Sequence, residues 1–230
     1  MPRPNCLVQL REAAPVILPS LLLCDFANLE REVARLREAG IRALHLDVMD
    51  GHFVPNLTYG LPIVEALRRI TDMPLDVHLM IAEPQRYLRQ FVNAGADVLT
   101  FHVEAVAEPV PVLAEIRSLG AAAGIALNPD TPLSHLDACY GVCDVILVMS
   151  VQAGFGGQGF RTVALDKLRQ VRAAAGPDVL LEIDGGVNED TIGQCASAGA
   201  QLFVVGSAIF RAPNYSLAIE KLTSLAGRSF

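Results

Sequence analysis

The run Leu44-His45-Leu46-Asp47-Val48-Met49-Asp50-Gly51 carries an imidazole and a carboxylate two residues apart in an apolar stretch that reads as a β-strand. Alternation along a strand puts His45, Asp47 and Met49 on one face and Leu46 and Val48 on the other. An unpaired buried carboxylate is costly, so a metal, a hydrogen-bond network or a catalytic use is expected beside it. Leu75-Asp76-Val77-His78-Leu79-Met80 offers a second such face, and the apolar run before Asp184, Gly185 and Gly186 a third. His45, Asp47, His78 and Asp184 together suit one divalent ion (zinc, ferrous iron, manganese or cobalt) with positions left open for substrate oxygens. Singly, each also fits a buried His-Asp pair; converging, the four favour the metal.

His102 and Glu104 repeat the same spacing at the end of another strand and are read as support behind the ligands. His52 and His135 are read as solvated. Asp50, just past its strand, and Asp76, before its strand end, are set aside.

A second constellation follows three late strands: Gly154-Phe155-Gly156-Gly157-Gln158, Gly185-Gly186 and Gly206-Ser207. Glycine lets the backbone approach an anion, and turns leading to helix N-termini offer free N–H groups, so the set reads as a phosphate anchor. The only lysines, Lys167 and Lys221, fall in helical patterns on the outside, which excludes a Schiff-base mechanism at the strand ends.

A metal flanked by two carboxylates, with a phosphate anchor at a distance, suits proton removal beside the carbonyl of a sugar phosphate. With Asp47 on one face of a planar cis-enediolate and Asp184 on the other, one removes a proton, the other returns it, and the stereocentre inverts. Met49, Met80 and Met149, each at a strand end, would wall the intermediate from water.

The elements that must position these groups alternate regularly. Strands are expected at Val16 to Leu18, Ala43 to Met49, Leu75 to Met80, Val98 to Val103, Gly124 to Leu127, Val145 to Met149, Val179 to Ile183 and Leu202 to Val205. Helical patterns include Asp25 to Ala39, with Asp25 as N-cap, and Pro84 to Ala94, Glu108 to Leu119, Val163 to Ala174, Asn188 to Ala198 and Tyr215 to Leu225. Gly40, Gly95 and Gly199 each sit at a helix-to-strand join, at intervals near two and four βα units. An open doubly wound sheet is the rival, but polar residues at the C-terminal ends of several strands favour a closed (β/α)8 barrel, an α/β fold whose sites converge there.

With 52% hydrophobic residues in 230, the chain can bury one large core. No apolar run is long enough to span a membrane. A net charge of −7 argues against nucleic acid and anionic membrane surfaces as partners. Five scattered cysteines without a CxxC pair argue against a disulfide framework, and Cys139 and Cys143 are read as buried thiols. Residues 1–15 are expected to be a flexible extension without an address signal, and 16–230 a single barrel domain in the cytoplasm.

Pro19-Ser20-Leu21-Leu22, His45 to Asn56, Asp76 to Met80, Leu127-Asn128-Pro129-Asp130-Thr131-Pro132, Met149 to Gln158, Asp184-Gly185-Gly186 and Gly206-Ser207-Ala208 are long, ordered motifs. Through them the chain, from about residue 16 to 225, closely resembles the ribulose-phosphate 3-epimerases. The resemblance implies a (β/α)8 barrel interconverting D-ribulose 5-phosphate and D-xylulose 5-phosphate in the pentose phosphate pathway or the Calvin cycle. It assigns the metal to His45, Asp47, His78 and Asp184, and the acid/base pair to Asp47 and Asp184. It places Ser20 and His78 against the substrate. Gly154, Phe155, Gly156, Gly157, Gly185, Gly186, Val187, Gly206 and Ser207 would surround the chain and phosphate of a ketose phosphate. It also implies a homo-oligomer, dimer or hexamer. The chain departs from the pattern at Leu23-Cys24 and at Gln152-Ala153, where a proline is usual; its loss is expected to loosen the loop over the substrate. A D-allulose-6-phosphate 3-epimerase and a non-catalytic sugar-phosphate-binding barrel are the alternatives.

Overall fold

The computed structural model describes residues 6–227; residues 1–5 and 228–230 lie outside the described part. Eight parallel strands follow one another around a single sheet: β1 (Val16–Pro19), β2 (Leu44–Met49), β3 (Leu75–Met80), β4 (Val98–His102), β5 (Ala122–Leu127), β6 (Val145–Met149), β7 (Leu180–Asp184) and β8 (Leu202–Val205). β1 pairs with β8, and a bridge from Ser20 to His45 joins the end of β1 to β2, which closes the (β/α)8 barrel. Every strand but β7 is buried throughout, as expected when side chains fill the interior and helices cover the outside.

The helices are α1 (Cys6–Ala13), α2 (Leu29–Glu38), α3 (Leu61–Ile70), α4 (Leu88–Ala94), α5 (Pro109–Ser118), α6 (Val163–Ala175), α7 (Ile192–Ser197), α8 (Ser207–Phe210) and α9 (Tyr215–Gly227). Several begin later than the sequence suggests. Asp25 caps a 3-10 turn over Phe26–Asn28 by accepting from Ala27 N–H at 3.1 Å, and only then does α2 start. The last βα connections follow the same pattern: Asn188 accepts from Asp190 N–H and delays α7 to Ile192. Helix α3 was not among the expected ones; its second residue, Pro62, has no N–H to leave unsatisfied at a helix start.

Part of the segment expected as a flexible extension is helical. Residues 6–13 form α1, and Cys6 and Leu10 are buried against Val16, Ala43, Val98, Ala122, Val145, Leu180 and Leu202 at the N-terminal ends of the strands. Those strand ends would otherwise present an apolar layer to water, and α1 covers it.

Inside the barrel the layers are chemically distinct. The lower one is aliphatic. The upper one, at the C-terminal ends, holds Met49, Met80, Ala126, Leu147 and Met149. Between them lies a polar layer in which His45, Asp76, His78, Thr100, His102 and Glu182 are each no more than 2% exposed. Strand register makes it: Asp76 stands beside His45, His78 beside Asp47, and Asp184 beside Met149.

Candidate active site

The polar layer brings His45, Asp47, His78 and Asp184 together. One donor atom from each lies within 4.8 Å of the others. His45 Nε2 and His78 Nδ1 are 3.3 and 3.2 Å from Asp47 Oδ1, and Ser20 Oγ donates to Asp47 Oδ2 at 2.6 Å. The Asp47 N–H donates to the Tyr59 hydroxyl at 3.1 Å, and Thr58 Oγ1 to the Asp47 carbonyl at 2.7 Å, so the β2–α3 segment holds the end of β2 in place.

The charges are unevenly poised. Burial works against ionising Asp47, but His45 and His78 outweigh it and hold the carboxyl well below the usual carboxylate range. Asp184 moves the other way: burial, with the Asp47 charge adding to it, pushes it up to about 7. Burial lowers the basicity of His45, but Asp47 and Asp76 outweigh burial and raise it well above the ordinary imidazole value. Without an ion the two carboxyls thus differ, Asp47 ionised and Asp184 divided between its two forms near neutrality, around a position that favours positive charge.

That arrangement suits a divalent ion. His45 Nε2 is buried and, among the described residues, has no hydrogen-bond partner. It faces Asp47, while its other nitrogen, Nδ1, donates to Asp76 Oδ2 at 2.6 Å. A carboxylate behind an imidazole is the usual way a metal-ligating nitrogen is oriented. Two imidazoles and two carboxylates balance a doubly positive charge, and their mixed nitrogen and oxygen donors suit borderline first-row ions.

Above the cluster opens a cavity of about 260 Å³ lined by Ser20, Asp47, Met49, Met80, Met149, Asp184 and Ser207, and by the glycine-rich turns over 154–157, 185–187 and 206. Every residue expected at the substrate lines it except His78, which is fully buried beside the cluster and does not reach the cavity surface. Gly186 sits at φ 59, and a Cβ there would lie 2.8 Å from Phe160 N, so only glycine lets the β7 turn pass under the loop that follows β6.

That loop is tied at several points. Asn56 Nδ2 donates to the Gly154 carbonyl at 2.7 Å, and Gln158 Nε2 to the carbonyls of Gln152 and Phe155. At its entry, where a proline was expected, Ala153 N–H donates to Asn128 Oδ1 at 2.9 Å, a bond a proline could not make.

Some residues were under-read. Asp76, set aside in the sequence, is buried and orients His45. Glu182 lies beside it, 3.2 Å from His45 Nδ1, with neither oxygen hydrogen-bonded among the described residues. Burial and the neighbouring Asp76 raise the Glu182 carboxyl well above its ordinary range and favour its neutral form. Their signal was the two-residue spacing to His78 and Asp184, which puts each one layer deeper on the same face. Lys167, expected outside the barrel, is on α6 but buried, where its ammonium donates to the carbonyls of Asn128 and Thr131. His52 and His135 are exposed, and Cys139 and Cys143 are buried thiols, as read.

Comparison with known proteins agrees with this geometry. The ribulose-phosphate 3 epimerase family matches residues 16–210. The ribulose-phosphate 3-epimerase of Mycobacterium tuberculosis strain H37Rv is 49% identical over 216 residues, covering 93% of each chain. That of Escherichia coli K12 is 46% identical over 213 residues, covering 91% of this chain and 95% of its own. Among solved structures, KGPDC from Streptococcus mutans shares the fold alone, with a TM-score of 0.70 at 16% identity over 94% of this chain and 99% of that one. Identity of the order seen with the two epimerases along almost the whole length, on a barrel with a buried imidazole–carboxylate cluster at its C-terminal mouth, means that the chain belongs to the ribulose-phosphate 3-epimerase family.

Proposed function

We propose that this site inverts C3 of D-ribulose 5-phosphate, giving D-xylulose 5-phosphate, with Asp47 and Asp184 as the acid/base pair. The observation that carries the reading is the convergence of these two carboxyls with His45 and His78, one donor atom of each within 4.8 Å of the others, in a chain of the ribulose-phosphate 3-epimerase family. His45, Asp47, His78 and Asp184 would hold one divalent ion: zinc, ferrous iron, manganese or cobalt. When bound, such an ion supplies positive charge that stabilises the oxyanion developing on the substrate as the C3 proton leaves.

The remaining work falls to side chains. The Asp47 carboxylate, oriented by the Ser20 hydroxyl, takes the proton from C3 on one face. The protonated Asp184 delivers its own proton to C3 on the other face, which inverts the centre and leaves the two carboxyls with exchanged proton states. Met49, Met80 and Met149, each at most 5% exposed, exclude water from the planar intermediate without competing for its proton. Gly154 to Gly157, Gly185 to Val187, and Gly206 with Ser207 surround the substrate chain and phosphate. A homo-oligomer, dimer or hexamer, in the cytoplasm is part of the same reading; no helix of the described residues is long and apolar enough to cross a membrane.

Relative turnover tests the substrate. Metal-replete protein is assayed on D-ribulose 5-phosphate and D-allulose 6-phosphate side by side, and the pentulose is expected to be the better substrate. Preference for the hexulose would move the assignment to a D-allulose-6-phosphate 3-epimerase, and binding without turnover of either to a non-catalytic barrel.

A further inference from the structure

Three side chains run in line from the segment after β4 into the cluster. His78 Nε2 is 2.9 Å from His102 Nε2, and His102 Nδ1 is 3.1 Å from Glu104 Oε2. The rings of His78 and His102 stack at 27° with centroids 4.9 Å apart. The other Glu104 oxygen accepts from Asn128 N–H at 2.7 Å and from the Thr131 hydroxyl. Neither His102 nor Glu104 lines the cavity, and the reaction above gives neither a part.

Carboxylates stand at both ends, Asp47 at His78 Nδ1 and Glu104 at His102 Nδ1, so a divalent ion taking the His78 Nδ1 lone pair is what leaves the chain one comfortable polarity. A carboxylate can only accept, so His102 must present an N–H at Nδ1; the opposite tautomer would aim a lone pair at a carboxylate. With its proton on Nδ1, a neutral His102 has a bare Nε2, which accepts from His78 Nε2–H. A neutral His78 is then bare at Nδ1, the atom that faces Asp47 in the cluster. With an ion in the cluster, the carboxylate at 104 thus supports, two rings away, the tautomer that leaves His78 Nδ1 free to bind.

We propose that Glu104 and His102 are positioning residues for the metal site: Glu104 sets the tautomers of His102 and His78 and keeps the His78 Nδ1 lone pair aimed into the cluster. The inference rests on the metal site read above but not on the identity of the sugar substrate. Asn128, whose backbone N–H binds Glu104 and whose side chain binds Ala153, ties this chain to the loop over the cavity.

Glu104→Gln tests it. The amide oxygen can still accept from Asn128 and Thr131, but the amide N–H₂ then faces His102 Nδ1, which reverses both tautomers and points an N–H from His78 at the ion. Zinc affinity, read by chelator competition, is expected to fall roughly 10- to 100-fold. Thr131→Val removes another hydrogen bond to Glu104 while leaving its contact with His102, and should stay within about threefold of the parent. Nitrogen-15 spectra of the zinc-loaded parent should show His102 protonated at Nδ1 and His78 at Nε2, which tests the polarity even if the variant does not fold. Parental zinc affinity in Glu104→Gln, an equal loss in Thr131→Val, or His102 protonated at Nε2 in the parent would each overturn the proposal. Failure of the parent to bind zinc would overturn it together with the metal site. Zinc bound without turnover of D-ribulose 5-phosphate would overturn only the epimerase reading.

Discussion

Replacing Glu104 by Gln should also change how stability depends on pH, by an amount the structure sets. Burial raises the Glu104 carboxyl, but the hydrogen bond and the charge of His102, with hydrogen bonds from Thr131 and Asn128, outweigh it and hold it at about 2 against an ordinary 4.5. Its side chain is 22% exposed, so solvent screening is modest. At about 1.4 kcal/mol per unit, the difference is worth about 3 kcal/mol to the folded state when the group is ionised. Because the folded value is the lower one, the contribution is fully present above the unfolded value and is lost as pH falls toward 2. Urea denaturation of the metal-free parent and of Glu104→Gln at matched pH should give a gap of at most about 3 kcal/mol near pH 7, where His102 is neutral and contributes no charge, and a smaller gap near pH 2. No gap at pH 7, or a gap larger at pH 2 than at pH 7, would refute the reasoning.

Three further outcomes are expected. Gly124→Ala would put a methyl 2.0 Å from Thr100 Oγ1 and 2.8 Å from Thr100 Cβ, between β4 and β5 and directly below His102. It should cost about 1–3 kcal/mol in denaturation, largely recovered by adding Thr100→Gly; an unchanged midpoint would contradict the packing described. Asp184→Asn should lower kcat by roughly 10²- to 10⁴-fold with the circular dichroism spectrum unchanged, and near-parental kcat would remove Asp184 from the acid/base pair. Dialysis against a chelator should abolish turnover reversibly, with activity returning on addition of zinc or cobalt; full activity of thoroughly stripped protein would contradict the metal reading.

The parts of this fold that were legible are those with one dominant local signal. β6 and β8 are apolar runs bounded by polar or glycine residues, β3 alternates apolar and polar residues after Pro74, and the limits of all three match the reading from sequence. β5 starts two residues earlier than expected because Ala122 and Ala123 have little strand preference of their own; they are held by pairing with Val98 and Leu99. Helix α1 offers two buried contacts one turn apart, Cys6 and Leu10, too few for a clear stripe until the strand ends are known to need covering. The cluster was readable because alternation alone places His45 with Asp47. Asp76 was set aside by its depth in the strand, yet the register that aligns His78 with Asp47 also aligns Asp76 with His45. Lys167 misled for the opposite reason: its helix is outside the sheet, as read, but the segment after β5 folds over it and supplies two carbonyls.

Solvent exchange tests the central claim most directly. Metal-replete protein is incubated with D-ribulose 5-phosphate in deuterated water, and xylulose 5-phosphate is analysed for deuterium at C3. Product carrying solvent deuterium at that carbon alone is the predicted result, since a proton taken by one aspartate and replaced from another must exchange with water. Absence of both product and exchange, with the metal bound, would contradict the account.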